Sequence, residues 1–353
     1  MCSSPRFETP GTSHAMSGMN FGLSQHIPSP FEAQMRKKVA YQKYLTSEEA
    51  ARELANLIAL QVRQTYADLA FQIRRRELTV KNRETLRQIL RASESQVASG
   101  TMKASRLLKI RARIARQRAR EAEISGLIAK QKEALINLCG TDLKWEEWLR
   151  DMTSLLPPTA QEEKPFKVED HPLFRKSQSL LTASRHRKSL ATAKVLPGVT
   201  VGMEYRLRQG VSGKDAGEDF ISLKASVPLP LYYPLKEQHR IKSAEADTAR
   251  AEDELQRVRR LLVTSWQGET LREKQLLLAL KEYRTILTMD MSVYKNQIAM
   301  LPAGKSDLTE VLNAYGTYLK SSLEEARLRR DLDMTRARLR YLTYSYEKKT
   351  KKE

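Results

Sequence analysis

Asn20-Phe21-Gly22-Leu23-Ser24-Gln25-His26-Ile27-Pro28-Ser29-Pro30 sets the reading of the whole chain. Phe21, Leu23, Gln25 and Ile27 fall on one side of an extended backbone, and Asn20, Gly22, Ser24 and His26 on the other. A period of two predicts a strand with one wet face and one mostly apolar face. Pro28 and Pro30 end it, because proline has no N–H to give to a ladder. The pattern returns 200 residues later (Pro28 to Pro228) as Leu223-Lys224-Ala225-Ser226-Val227-Pro228-Leu229-Pro230. There Ile221, Leu223, Ala225 and Val227 alternate with Ser222, Lys224 and Ser226. Just ahead, Val199, Val201, Met203 and Tyr205 alternate with Thr200, Gly202, Glu204 and Arg206, and a polar loop from Gln209 to Asp219 joins the two runs. Three short strands are expected, at 20–27, 199–206 and 221–227.

Each proline break opens a long helical stretch, the first of them without proline or glycine. The first, from Phe31 to Ser99, would make a helix of roughly 100 Å at 1.5 Å per residue, with Ala51, Leu54, Ile58, Val62, Tyr66, Leu69 and Ile73 at helical spacing. Gly100 interrupts it. A return helix follows, in which Leu107, Ile110, Ile114, Gln117, Glu121, Ile124, Ile128, Gln131, Leu135 and Leu138 step by three and four, a coiled-coil seam. Gly140 is placed to cap it. The second half behaves alike: a helix from about Leu235 to Met300, a break at Pro302-Ala303-Gly304, and a return helix to about Tyr346 with a seam at Leu328, Leu332, Thr335, Leu339, Leu342 and Tyr346. A shorter helix is expected from Pro172 to Leu196, proline suiting its first turn.

The halves therefore repeat one another, since Gly100 also matches Gly304 and Leu138 matches Leu342. The organisation reads as 1–19, a loop or disordered end; 20–140, a first repeat of one strand and a long helical hairpin; 141–170, a proline-bearing linker; 171–346, a second repeat with a short helix, a strand hairpin and a long helical hairpin; and 347–353, a basic tail. A short helix added to a return helix recovers about the length of an outward helix, so every long helix has an antiparallel neighbour of matching span. By that logic the first half lacks its own short helix and first strand, and the chain is expected to be a fragment or to carry a misplaced start codon. The fold class is mainly α: very long antiparallel coiled-coil hairpins with short strands of transmembrane-barrel character, in two internal repeats.

Composition agrees. Among 353 residues, charged types make up 29% and aromatics 7%, with only 14 Gly and 13 Pro, as long helices read. No run of eighteen apolar residues could form a spanning helix, and the start has no apolar leader. Cys2 and Cys139 offer neither a disulfide framework nor metal-ligand spacing. Ala303-Gly304-Lys305-Ser306 lacks the glycine five residues earlier that a phosphate loop needs, where Ala299 stands. The five histidines are scattered, and Met289, Met291 and Met300 read as packing residues. Arg74-Arg75-Arg76 and the cluster from Arg111 to Arg120 lie on outer helix faces, where solvated charge is the default, so no nucleic acid is expected. No constellation suits catalysis, and no cofactor or metal is implied. The net charge of +20 has no account from the sequence.

In order and in duplicate, these features resemble the outer membrane efflux protein (TolC) family. Leu23-Ser24-Gln25 before Ile27-Pro28-x-Pro30 looks like the strand-to-helix junction of its heavy-metal efflux branch. His171-Pro172 is similar to the Asn-Pro-Glu start of its short helix, and Gly304-Lys305-Ser306-Asp307-Leu308-Thr309-Glu310-Val311-Leu312-Asn313-Ala314 resembles its periplasmic tip. The resemblance implies a homotrimeric duct, with a twelve-stranded barrel in the outer membrane of a Gram-negative bacterium and a periplasmic α-barrel. It implies a periplasmic membrane fusion (adaptor) protein and an inner membrane pump of the resistance-nodulation-division type as partners, together with outer membrane lipid. Leu23, Ile27, Val201, Met203, Leu223, Ala225 and Val227 would then be membrane-strand residues, and Ser222, Lys224 and Ser226 would face the lumen. Gly100, Arg106, Gly304, Glu310 and Asn313 would stand at the tip and pore constriction. Asn313 and Arg106 replace acidic residues usual there, and Cys2, similar to the acylated cysteine of some members, has no signal ahead of it. The rival reading is a soluble basic coiled-coil scaffold for nucleic acid or anionic membrane surfaces, which has no use for the strands.

Overall fold

The computed structural model describes residues 18–100, 103–140, 165–195, 198–208, 219–228, 236–300 and 306–344. In order these give β1 (Gly18–Ile27), α1 (Pro30–Ala98), α2 (Ala104–Cys139), a 3₁₀ turn (Val168–Asp170), α3 (Pro172–Ala193), β2 (Val199–Arg208), β3 (Phe220–Ser226), α4 (Glu237–Met300) and α5 (Leu308–Leu342). The chain divides into two compact units: residues 1–49 with 175–258, and 50–174 with 259–353. Each draws on both repeats.

The first unit holds the sheet. Its strands lie in the order β1-β2-β3, both pairs antiparallel. β1 and β2 are longer than their alternation suggested, because Met19↔Leu207 and Gly18↔Arg208 continue the ladder. β3 is displaced by one residue: it begins at Phe220, and Val227, expected inside it, lies beyond the last pair, Thr200↔Ser226. Val227 precedes Pro228, which has no N–H with which to carry the ladder on. Between β1 and α1 the two prolines divide their work. Pro28 follows the strand, while Ser29 Oγ accepts the Glu32 N–H at 3.3 Å and Pro30 fills the first helical position. α3 and α4 are joined by exposed ion pairs, Arg185–Glu252 at 3.5 Å and Lys188–Glu245 at 3.1 Å.

Gly198, at the entry to β2, is held by close approach. A Cβ there would stand 2.7 Å from the Ile27 carbonyl oxygen and 2.8 Å from the His26 ring. Gly198→Ala is expected to cost about 1–3 kcal/mol by forcing β1 and β2 apart; an unchanged urea midpoint would contradict this contact.

In the second unit the coiled-coil seams pack as their spacing predicts. Ile110, Ile114, Gln117, Ile124 and Leu135 of α2 are buried. Leu86 and Ile89 of α1, Ile110 and Ile114 of α2, and Leu308 and Leu312 of α5 form one cluster, while Leu69 and Leu135 form another with Val62, Tyr66, Ile73 and Ile128 around them. Gly140 caps α2 in the left-handed region (φ 67°), its N–H reaching Ile136 O at 2.9 Å. Leu332, Thr335, Leu339 and Leu342 of α5 are buried, and Tyr346 lies outside the described residues.

One stretch of α1 departs from expectation. Ala51, Leu54 and Ile58 are exposed, and the inward positions belong to Glu53 and Asn56. These polar side chains are buried because α5 answers them. Asn56 Nδ2 donates to the Tyr341 carbonyl at 3.0 Å, and the Tyr341 hydroxyl donates to Glu53 Oε1 at 2.5 Å. Elsewhere α3 stops at Ala193 rather than Leu196, α4 starts at Glu237 and α5 ends at Leu342.

Candidate functional site

The sheet segregates its side chains by chemistry. Registered pairs set Leu23, Met203 and Leu223 in one row, with Phe21, Tyr205 and Ile221 on one side of it and Gln25, Val201 and Ala225 on the other. Ile27 faces Val199. Within the paired rows no charged residue stands on this face, the nearest being Asp219 just ahead of β3, which accepts the Tyr205 hydroxyl at 2.8 Å; yet Leu23 and Leu223 are 77% and 79% exposed. An antiparallel sheet in water normally buries its apolar face against a core; this one presents it outward.

The opposite face is polar and internally satisfied. Lys224 bonds Glu204 across the β2–β3 ladder. The Arg206 Nε donates to Asn20 Oδ1 at 2.6 Å, and its guanidinium lies 5.7 Å from the Phe220 ring centroid. His26 Nδ1 and Thr200 Oγ1 are 3.2 Å apart. Ser222 and Ser226 share this face. Loop residues 209–218 lie outside the described residues.

The helical tip is built in the second unit. Gly100 (φ 73°) is exposed after the end of α1, while Gly304 lies outside the described residues. Arg106, near the start of α2, donates to Asp307 Oδ1 at 2.5 Å, joining the two repeats. Burial opposes ionisation of Asp307, but the Thr309 hydrogen bond and the Arg106 charge outweigh it and hold the carboxyl below its usual range. With both partners more than two-fifths exposed, the pair contributes at most about 1 kcal/mol. Asp307 caps α5 and Glu310 reaches back to the Asp307 N–H at 3.4 Å, a capping box. The Asp307-x-x-Glu310 spacing signals that box in the sequence, and the expectation of a ring residue passed over it. Asn313, one turn on, is exposed.

A third constellation was not anticipated. His171 is fully buried ahead of α3, where its Nδ1 accepts the Leu173 N–H at 3.2 Å, an N-cap made by imidazole. Its ring packs edge-on to Tyr341 at 5.0 Å, and Glu53 Oε2 lies 3.8 Å from Nδ1. Burial pushes His171 down to about 4 against the pull of the Tyr341 carbonyl. Burial and then the Glu53 hydrogen bond raise Tyr341. This is a structural knot: it ties α1, the start of α3 and α5. A cleft of about 870 Å³ between α1, α2 and α5 is likewise self-satisfied, with Arg330 over Phe71 at 4.9 Å and paired to Asp331 at 2.7 Å.

Among the described residues no group of His, Cys, Asp and Glu could hold a metal, and no helix is long and apolar enough to cross a membrane. Met289 and Met300, read as packing residues, are exposed.

Paired antiparallel hairpins of this length on a small two-faced sheet define the fold of the TolC-like outer membrane efflux channels. The outer membrane protein VceC from Vibrio cholerae superposes with a TM-score of 0.78 at 15% identity, over 92% of this chain and 79% of that one. The outer membrane channel CmeC of Campylobacter jejuni gives 0.77 at 14%, over 94% and 72%. The open state of the Neisseria gonorrhoeae MtrE outer membrane channel gives 0.67 at 12%, over 91% and 80%. No curated protein matches the sequence. Residues 4–141 match the profile of the family described as outer membrane efflux protein.

Proposed function

We propose that the chain is the outer membrane channel component of a tripartite efflux system. In this reading three copies form a duct that passively conducts solutes delivered by an inner membrane pump of the resistance-nodulation-division type through a periplasmic adaptor. The observation that carries it is the sheet: an apolar face whose paired rows carry no charge is left exposed, backed by a polar face on which Lys224 bonds Glu204 and Arg206 bonds Asn20. Hydrocarbon on one side and water on the other is the environment such alternation fits. Leu23, Ile27, Val201, Met203, Leu223 and Ala225 then meet lipid, with Val227 at the edge of that band. Gly100, Arg106, Gly304, Glu310 and Asn313 mark the periplasmic mouth, where the adaptor docks.

The full chain, expressed in a Gram-negative host and fractionated, should sediment with outer membranes and leave them only in detergent. Release by high salt alone would instead favour the basic scaffold, which gains no support from three paired strands.

A further inference from the structure

Most of the net charge of +20 sits in one hairpin: between residues 74 and 120 there are 15 Lys and Arg against 3 Asp and Glu, a net +12. The equivalent stretch of the second repeat, 278–324, carries 5 of each and is neutral. The excess is arranged. On α2, Arg106, Lys109, Arg113, Arg116 and Arg120 recur at steps of three and four along one flank of the buried seam. Arg111 and Arg118 occupy the opposite flank. Among the described residues no carboxylate comes within ion-pair range of Lys109, Arg113, Arg116, Arg118 or Arg120, whereas Arg106 meets Asp307 and Arg111 meets Glu94 at 3.3 Å.

A helix in the wall of a duct has neighbours on two sides, which leaves two flanks for lumen and exterior. The Ile110–Ile114 seam is one neighbour side of α2. The side opposite it, Ala112, Ala115 and Ala119, is exposed and small enough for another helix to approach closely. Both remaining flanks are cationic, so the sign of the charge lining the lumen does not depend on which flank points inward. The sheet adds to this independently. On its polar face Lys224 bonds Glu204, while the Arg206 guanidinium is bonded to no carboxylate and is held by Asn20 and Phe220, which leaves the three side chains one positive charge in excess. Symmetry turns one such residue into a ring, and low-dielectric walls focus its field.

Resting on the channel reading above, we infer that this duct conducts anions in preference to cations, with Arg206 the specificity-determining residue of its barrel and the α2 cations that of its helical part. Solutes carrying carboxylate, phosphate or sulfonate groups are the class it passes best.

The test is zero-current potential across planar bilayers holding the full chain, under a tenfold KCl gradient, since the two ions have similar mobilities. Chloride is expected to be favoured over potassium by about threefold or more at low ionic strength, fading as salt screens the rings. Arg206→Glu and the exposed double variant Arg116→Glu/Arg120→Glu should each lower that ratio by about twofold or more. Arg206→Gln, which keeps a donor for Asn20, should give a smaller shift in the same direction. A cation-selective or unselective wild-type pore overturns the inference while leaving the channel reading intact. Absence of any conductance from protein that sediments with outer membranes defeats the channel reading, and the inference with it.

Discussion

Leu223→Arg is expected to abolish accumulation in the outer membrane, while Ser222→Arg, one residue away, leaves it near the wild-type level. Leu223 closes the row Leu23–Met203–Leu223 and is almost fully exposed on the uncharged face. A guanidinium on the lipid side of a barrel costs about 2–4 kcal/mol near the midplane, and in a trimer the cost is incurred three times. Ser222 lies on the other face, opposite Glu204, where a new cation would find water and a carboxylate. Quantifying both variants in isolated outer membranes separates the faces. Equal loss from the two would mean that fold disruption, rather than sidedness, decides the outcome. Equal retention would remove the sheet from the bilayer.

The second large effect belongs to the buried histidine. Its pKa falls from 6.5 to about 4 on folding. Between those values the unfolded chain binds the proton and the folded chain does not. Stability is therefore full above about pH 6.5 and drains away as the pH falls towards 4, by a total of about 3 kcal/mol per copy. The geometry gives the reason. Nδ1 is already the acceptor for the Leu173 N–H, so a proton there breaks the cap, and the neighbouring Glu53 carboxylate is shared with the Tyr341 hydroxyl. His171→Asn keeps a side-chain acceptor at the cap and has nothing to titrate. Its urea midpoint should be lower than wild type at pH 7.5 through lost ring packing, yet decline less between pH 6.5 and 4. Parallel pH profiles for the two proteins would show that the acid sensitivity originates elsewhere.

Much of the architecture was written in local pattern. Alternation of the kind at Val199 to Tyr205 has one geometric meaning, and paired prolines after Ile27 and Ser226 leave little choice of where ladders stop. The heptad steps from Ile110 to Leu135 identified the buried stripe of α2 because both the repeat and the residue type pointed inward. Where the two signals diverge, the sequence misleads. In the first half of α1, Leu54 and Ile58 carry the hydrophobicity but Glu53 and Asn56 take the inner positions. Their partner, Tyr341, is 285 residues beyond Asn56, out of reach of any local rule. His171 was hidden for the same reason, since one histidine before a proline says nothing of a buried carboxylate on another helix. Glu310 is the opposite case: the Asp307-x-x-Glu310 capping spacing is local and legible in the sequence, and the structure forms the box it signals. The charge excess was visible as a total but became informative only when α2 showed on which flanks its arginines stand.

The three-stranded sheet has a geometric corollary. β1 and β3 each run antiparallel to β2, so its two outer edges point the same way. Copies joined directly, edge to edge, would meet in parallel seams with slanted bonds, and one additional strand between them would restore alternating direction. In either arrangement a solitary copy in hydrocarbon would hold two rows of amides and carbonyls without partners, at several kcal/mol for each group. In the proposed channel, entry into lipid and association into a closed ring would therefore be a single event, and the yield of mature pores should rise steeply with the local supply of chains.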